Sequence, residues 1–287
     1  RKFFCRVCGS SNYFFKFFFK NKNFKFKKYK YFECNDCQSL FLNYTPKNLK
    51  KFYNQKYSPY QIDKSKEKIA KCSLKIITSI IRKGRIIEIG PGSGSLINSL
   101  FKKKFACYAV EQDKKSSKRL KNITVFNDKL ELMKPKIIKK KMNMIISIHS
   151  LEHLENLKCF LKFCSSIISK NGTVFITTPN INSLSFMFYQ NFWYHMEAPR
   201  HLFLIKENYL DKKFSEKEFK KILSSKKNYN AYLSSKFGWE TSGYYVYKNN
   251  GLKIFSYIGK LLSVFMPFIE LIFNRTSEYT AVYKKIK

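Results

Sequence analysis

The segment Glu88-Ile89-Gly90-Pro91-Gly92-Ser93-Gly94 sets three glycines at alternate positions behind a carboxylate. Without a Cβ the backbone can come within contact distance of a ligand, so such a loop can cradle a nucleotide-like molecule. Two common nucleotide loops are excluded. The third glycine of a G-x-G-x-x-G fingerprint would fall on Ile97, and no Gly-Lys-Ser/Thr follows for a P-loop. About twenty residues further on stands Glu111, a carboxylate able to accept both hydroxyls of a ribose. The four histidines lie in two later segments: His149 and His153 within Ser147-Ile148-His149-Ser150-Leu151-Glu152-His153-Leu154, and His195 and His201 around Pro199-Arg200-His201-Leu202. Imidazole is the side chain best suited to take a proton near neutral pH. His149-x-x-Glu152-His153 also spells a zinc-protease string. That chemistry needs a long helix and a third ligand, and here the string begins at the end of a predicted strand.

A second chemistry sits at the start of the chain. Cys5-Arg6-Val7-Cys8-Gly9 and Cys34-Asn35-Asp36-Cys37 are paired C-x-x-C knuckles around an aromatic and basic stretch. Two thiolates at that spacing can reach one ion, and four complete a closed tetrahedral zinc site. Cys5, Cys8, Cys34 and Cys37 are therefore the expected ligands of a structural zinc in a zinc ribbon, and Gly9 allows the tight knuckle turn. The remaining four of the eight cysteines are scattered. Metal is expected rather than disulfides, because no secretion signal precedes them. Arg1-Lys2-Phe3-Phe4-Cys5 carries no small-residue cleavage site and no initiator Met, so a cytoplasmic location is expected, with a few residues missing ahead of Arg1.

The charge is lopsided. Among 287 residues, 56 are Lys or Arg and 19 are Asp or Glu, a net +37. Such a balance raises nucleic acid or an anionic membrane as partner. The lysines are spread along the whole chain rather than gathered in a stripe, and the chain is also rich in Phe, Asn, Ile and Tyr, which share AT-rich codons with Lys. Genomic bias is therefore the expected source of the charge, with an anionic partner as the alternative, and no specific nucleic acid is expected. Hydrophobic residues make up 44 %, enough for a buried core. The most apolar stretch, Ile254 to Phe273, is interrupted by Lys260 and Glu270, and no spanning helix is predicted. With many lysines around it, this stretch could lie on a membrane surface as a peripheral contact, or cap a substrate cleft.

The elements needed to position these residues can be read from periodicity. Phe24 to Lys27 and Tyr29 to Tyr31 read as strand, with a turn at Asn21-Lys22-Asn23. Pro46 opens a connector, in which Ile69, Cys72, Ile76 and Ile80 recur at helical spacing before Gly84. From Arg85 strand, turn and helix alternate. Strands are predicted at Arg85–Ile89, Phe105–Val110, Ile123–Phe126, Met142–Ile148 and Thr173–Thr178. Leu157, Phe160, Leu161, Cys164, Ile167 and Ile168 mark a helix face stopped by Asn171-Gly172. This alternation implies an α/β fold, a parallel sheet covered on both faces, with ligands beyond the carboxyl ends of its strands. Residues 206–236 read as helix and loop, Gly238-Trp239-Glu240 leads into a strand through Tyr247, 252–273 is an apolar helix, and Glu278 to Lys284 a last strand. The expected domains are a zinc ribbon at 1–45, a linker helix at 46–83, and a catalytic domain at 84–287 with an apolar helical insert at about 252–273.

The acid-x-Gly-x-Gly-x-Gly pattern resembles motif I of the class I S-adenosylmethionine-dependent methyltransferases. Leu151-Glu152-His153, Thr177-Thr178-Pro179-Asn180, Trp193 and Pro199-Arg200-His201-Leu202 resemble the group that includes the ubiquinone-pathway O-methyltransferases. The resemblance covers about residues 84–210. It implies a Rossmann-like methyltransferase sheet, mostly parallel, of seven strands with the last antiparallel. It further implies S-adenosyl-L-methionine held by Glu88, Gly90, Gly92, Gly94 and Glu111, with Asp128 beside the adenine; His149, His153 and His201, able to take a proton near neutral pH and placed after strand ends, are the expected catalytic residues. In that group a Glu-x-x-Glu-His arrangement is associated with a divalent metal; here His149 replaces the first Glu, which favours metal-free base catalysis. The expected acceptor is a small molecule, a carbohydrate or a lipid-linked intermediate, most simply methylated at oxygen. Two rivals are an RNA methyltransferase, for which residues 1–45 offer ten basic residues against two acids, and a non-catalytic zinc-ribbon adaptor. The intact glycine loop and Glu111 weigh against the adaptor.

Overall fold

The computed structural model of the protein describes residues 3–21, 27–45, 52–53, 64–133 and 140–286. Residues 22–23 of the expected turn, Phe24–Phe26 and Pro46 lie outside them. In chain order the elements begin with β1 (Tyr13–Asn21), β2 (Lys27–Cys34), β3 (Leu40–Leu42), α1 (Lys64–Ile80), β4 (Arg85–Ile89), α2 (Ser95–Lys102) and β5 (Ala106–Val110). Next come α3 (Lys114–Ser117), β6 (Thr124–Phe126), β7 (Met142–Ile148), α4 (Leu157–Ile167), β8 (Ile168–Pro179), α5 (Leu184–Tyr189) and β9 (Phe203–Leu204). The last are α6 (Glu207–Ser215), β10 (Phe219–Ser225), α7 (Tyr229–Asn250), α8 (Ile254–Ile272) and β11 (Glu278–Lys285). They form two compact units. One comprises Arg1–Phe52, Thr178–Leu210 and Ser225–Tyr279; the other comprises Tyr53–Thr177, Asp211–Ser224 and Thr280–Lys287.

The second unit holds a seven-stranded sheet of order β10-β11-β8-β7-β4-β5-β6. The pairs β7–β4, β4–β5, β5–β6 and β7–β8 are parallel, and the last strands are antiparallel. This is the expected α/β, Rossmann-like sheet. Ile86, Ile97, Leu100, Met144, Ile146 and Phe175 pack in its core. The central strands β4 and β7 read as apolar runs because both faces are covered. On α1 the buried centre is Ala70, Ser73 and Ile77, one residue round from the expected stripe, while Ile76 and Ile80 are half-buried at its margin. The Asn156 side chain caps α4 by accepting from the Cys159 N–H at 3.0 Å.

Three expectations are corrected. Ile168 does not extend α4; the helix ends at Ile167, and Asn171-Gly172 lies within β8 where its pairing to β7 jumps from Met142↔Ile168 to Met144↔Thr173. A left-handed residue, Asn171 at φ 60°, takes up the irregularity. Residues 219–225, read as helix or loop, form β10. The strand expected from Gly238 to Tyr247 is instead the middle of α7. Its Tyr-Tyr-Val-Tyr run favours strand by propensity, but the ends decide otherwise. The Asn228 side chain accepts from the Ala231 N–H at 2.9 Å, and Gly251 closes the helix at φ 77°.

The first unit holds a four-stranded sheet, β1-β2-β3-β9. β1 and β2 are antiparallel, from Tyr13↔Cys34 to Asn21↔Lys27. Phe3, Tyr13, Phe32 and Phe41 form an aromatic cluster with ring centroids 4.6 to 6.3 Å apart, Phe3 stacked on Tyr13 and most other pairs edge to face. In the same unit α7 and α8 pack as an antiparallel pair at two glycines. A Cβ on Gly243 would lie 2.6 Å from the Gly259 Cα. By length and composition α8 is apolar enough to cross a membrane, despite the interruptions at Lys260 and Glu270.

Candidate functional site

In the sheet unit the glycine loop leaves the carboxyl end of β4, between β5 on one side and β7 on the other. Its shape requires glycine. Gly90, Gly92 and Gly94 have φ of 64°, 56° and 78°. A Cβ on Gly90 would meet the Ser150 Cβ at 3.0 Å, and one on Gly94 the Leu120 Cδ2 at 2.5 Å. The loop is pinned by Gly90 N–H donating to Val110 O and Gly94 N–H to Pro91 O, both at 2.9 Å. The Ser150 hydroxyl, 2.9 Å from that of Ser147, donates to Ile89 O at 2.8 Å, tying the end of β7 to the end of β4.

Two acids flank the loop. Glu88 is buried in β4, and its Oε2 has no hydrogen-bond partner among the described residues. Burial, followed by the neighbouring Glu111 carboxylate, pushes its pKa up to about 8, while the Ile97 backbone N–H opposes the rise. Glu111 follows β5. Its Oε1 accepts from the Asp113 N–H at 2.9 Å. Burial raises it to about 7, against the lowering effect of that backbone bond. Asn127 donates to Glu111 O at 3.0 Å, and the exposed Asp128 stands next to it after β6. The sheet order thus sets Glu111 and Asp128 on one side of the glycines and the histidine segment on the other.

That segment begins at the end of β7. The His149 N–H donates to Thr177 O at 2.9 Å, and its φ of 46° is rare for a residue with a Cβ. Its Nδ1 lies 3.3 Å from Oε1 of the buried Glu152. Leu151–His153 form one 3₁₀ turn, and His153 Nδ1 lies 2.9 Å from the Tyr53 hydroxyl. Tyr53 is the residue that sequence reading missed. It is a hundred positions upstream in no motif, so nothing in the linear pattern signals it.

His195 and His201 belong to the other unit. His195 Nε2 is 2.9 Å from the Ser234 hydroxyl, and His201 Nδ1 is 2.6 Å from His195 O. Tyr31, buried in β2, donates to Met196 O and His201 O at 2.5 and 3.0 Å. Both histidines are buried and hydrogen-bonded. That unit also gathers the four knuckle thiols. Cys5 Sγ is 3.6 Å from Cys37 Sγ and Cys8 Sγ is 3.4 Å from Cys34 Sγ, with all four sulfurs within 4.8 Å of one another. Zn–S bonds of about 2.3 Å in a tetrahedron require sulfurs roughly 3.8 Å apart, and these separations fit. They exclude disulfides, whose sulfurs sit about 2 Å apart.

The buried unpartnered Glu88 oxygen, the three left-handed glycines and the carboxylate after β5 fit a nucleoside-bearing cofactor at the strand ends. The comparisons agree on the family. The model of a methyltransferase domain matches residues 55–224. The ubiquinone biosynthesis O-methyltransferase of Pelagibacter ubique (strain HTCC1062) is 27 % identical over 143 residues, 46 % of this chain. The chain spans 58 % of the length of that relative. Among solved structures, a protein provisionally described as a sarcosine dimethylglycine methyltransferase from Galdieria sulphuraria superposes with a TM-score of 0.50 at 12 % identity, covering 77 % of this chain and 85 % of that one. The cyclase SpnF does so with a TM-score of 0.50 at 8 % identity, covering 76 % and 80 %. A cyclase on the same sheet shows that the fold alone does not fix a reaction. With the glycine loop, the flanking acids and the family match over more than half its length, the chain belongs to the S-adenosylmethionine-dependent methyltransferases.

Proposed function

We propose that this protein transfers a methyl group from S-adenosylmethionine to an oxygen of a small-molecule acceptor, which includes carbohydrate and lipid-linked molecules. The observation that carries the reading is the loop at the end of β4: left-handed glycines with an acid on either side. The cofactor, when bound, supplies an electrophilic methyl group on a sulfonium. Gly90, Gly92 and Gly94 give it close backbone approach. Glu111 accepts from the ribose hydroxyls, and Asp128 borders the adenine. Glu88 offers its free oxygen to the same end of the site.

On the β7 side His149 takes the proton of the acceptor hydroxyl. Its Nδ1 faces Glu152, a buried carboxylate able to stabilise the imidazolium formed when the ring takes that proton. The strained backbone at His149 and the Tyr53 contact to His153 hold that turn in one arrangement. Similarity to an O-methyltransferase of ubiquinone biosynthesis supports the oxygen and the small acceptor. We further assign one zinc ion to Cys5, Cys8, Cys34 and Cys37. Four thiolates leave no open position, so this zinc is structural.

Isothermal calorimetry tests the central claim. S-adenosylmethionine or its demethylated product should bind at one site per chain. Absence of binding to the folded protein sinks the reading. Methyl transfer from labelled cofactor to one defined nucleotide of purified rRNA would replace the acceptor class instead.

A further inference from the structure

Helix α8 divides sharply round its circumference. One face, Gly259, Ser263, Pro267 and Glu270, is buried. Gly259 lies against Gly243 and the backbone carbonyls of Trp239 and Glu240 on α7, and Glu270 Oε1 accepts from the Ser185 N–H at 2.8 Å. The opposite face is apolar and open to solvent. Leu261 is 62 % exposed, Val264 53 %, Phe265 59 %, Phe268 55 % and Ile272 71 %. With Tyr257 they recur every three or four residues, so at roughly 100° per residue they fall in one stripe running the length of the helix. Contiguous apolar surface of this kind on a soluble chain marks an interaction site.

The charges indicate what covers it. On the same helical projection Lys253 and Lys260 border one flank of the stripe, and both are exposed. Lys236 and Lys248 are exposed on α7, against a single partly exposed acid there, Glu240. A second copy of the chain would bring another net +37 to the contact, which like-charge repulsion disfavours. An anionic lipid surface offers acyl chains to the stripe and phosphates to the lysines. Spanning is disfavoured even though the helix is long enough. Its buried face is glued to α7, whose Asn230, Ser234, Ser235 and Ser242 would have to enter hydrocarbon with it.

We propose that α8 lies in the plane of an anionic membrane interface, its Tyr257–Ile272 stripe in the acyl boundary and Lys253 and Lys260 at the phosphate level. This inference stands on the surface of one helix and does not depend on the methyl-transfer reading.

Flotation of the full chain with vesicles tests it. The protein should float with vesicles of phosphatidylcholine and phosphatidylglycerol and much less with phosphatidylcholine alone. Replacing Leu261, Phe265 and Phe268 together by Ser should weaken binding about tenfold or more. Lys253→Glu with Lys260→Glu should remove the preference for the anionic lipid. Because all five side chains are exposed, circular dichroism should show unchanged folding. If the triple variant nevertheless misfolds, Leu261→Trp in the otherwise intact chain gives a second readout, a blue-shifted emission on adding the anionic vesicles. Four results would overturn the proposal: no flotation of the parent chain, flotation indifferent to the triple substitution, extraction-resistant insertion in alkaline carbonate, or a stable dimer in solution that the triple substitution dissociates.

Discussion

The sheet unit and the ribbon-bearing unit reach order by different routes. In the first, strands whose side chains are apolar on both faces bury Ile86, Met144, Ile146 and Phe175 in one continuous core, and the candidate cofactor residues lie in or shortly after β4, β5 and β6. In the second, local devices order single stretches of chain: four thiols within 4.8 Å and a cluster of aromatic rings in the first stretch, and a glycine contact that lets α7 and α8 touch at backbone distance in the last, while β3 pairs with β9 across two stretches. Apolar packing in both units is spread over many residues, with Trp193, Phe203 and Trp239 buried in the second, whereas the four thiols are a point device whose loss the surrounding packing does not replace. The difference teaches where each unit is vulnerable and where its chemistry can sit.

The comparison can be broken most forcefully at the thiols. Zinc bound by four cysteinates contributes roughly 10–16 kcal/mol of apparent binding energy, most of it expressed as folding. Purified protein should therefore contain one zinc per chain, and Cys34→Ser should lose it together with the ribbon's protection from amide hydrogen exchange. Loss of zinc from the variant with unchanged protection would mean that the aromatic cluster holds the ribbon alone, and full zinc content in the variant would remove Cys34 from the ligand set.

A smaller effect is expected at His149, where chemistry rather than folding is at stake. His149→Ala should lower turnover about 10²–10⁴-fold, the range for a general base, with cofactor affinity nearly unchanged by equilibrium titration. A loss under about tenfold, or an activity that needs added divalent metal and vanishes on chelation, would move the role to another group.

The smallest effect sharpens the picture of the sheet unit. Glu111→Ala should weaken cofactor binding by about 1–3 kcal/mol. The free carboxyl titrates at about 7 because it is buried, and it must be ionised to accept from two ribose hydroxyls. A raised folded pKa means that the proton is held below about 7 and has to leave on binding. Affinity should therefore rise with pH up to about 7 and level off above it, with proton release detectable by calorimetry in buffers of different ionisation enthalpy. Glu111→Gln should flatten that dependence. A pH-independent affinity in the parent protein would detach Glu111 from the ribose.

Much of the sheet was legible in the sequence. Arg85–Ile89 and Met142–Ile148 were readable to the residue because a strand covered on both faces is an uninterrupted apolar run between turn signals. The glycine loop was legible for a similar reason, since only glycine holds three left-handed positions so close together. α7 was misread because its Tyr-rich stretch has strand propensity. Besides the caps at its ends, small residues at helical spacing fit it to its surroundings: Gly243 lies against Gly259 of α8, Gly238 and Ser235 against Ser277, and the Ser242 hydroxyl accepts from the Tyr194 N–H, contacts that only the folded chain shows.

By itself, then, the chain determined the alternation of strand and helix, the paired cysteines, the glycine loop and the identity of the acids beside it, because each is written in local spacing and in the chemistry of single residues. Only the tertiary structure decided that Glu88 keeps a buried oxygen without a partner among the described residues, that Glu152 faces His149, that Tyr53 reaches His153 from a hundred residues away, and that α8 leaves one face exposed. Each of these depends on which side chains meet across the fold. A linear pattern carries the period of a helix or strand, but neither the burial of a given carboxylate nor the partner of a given ring.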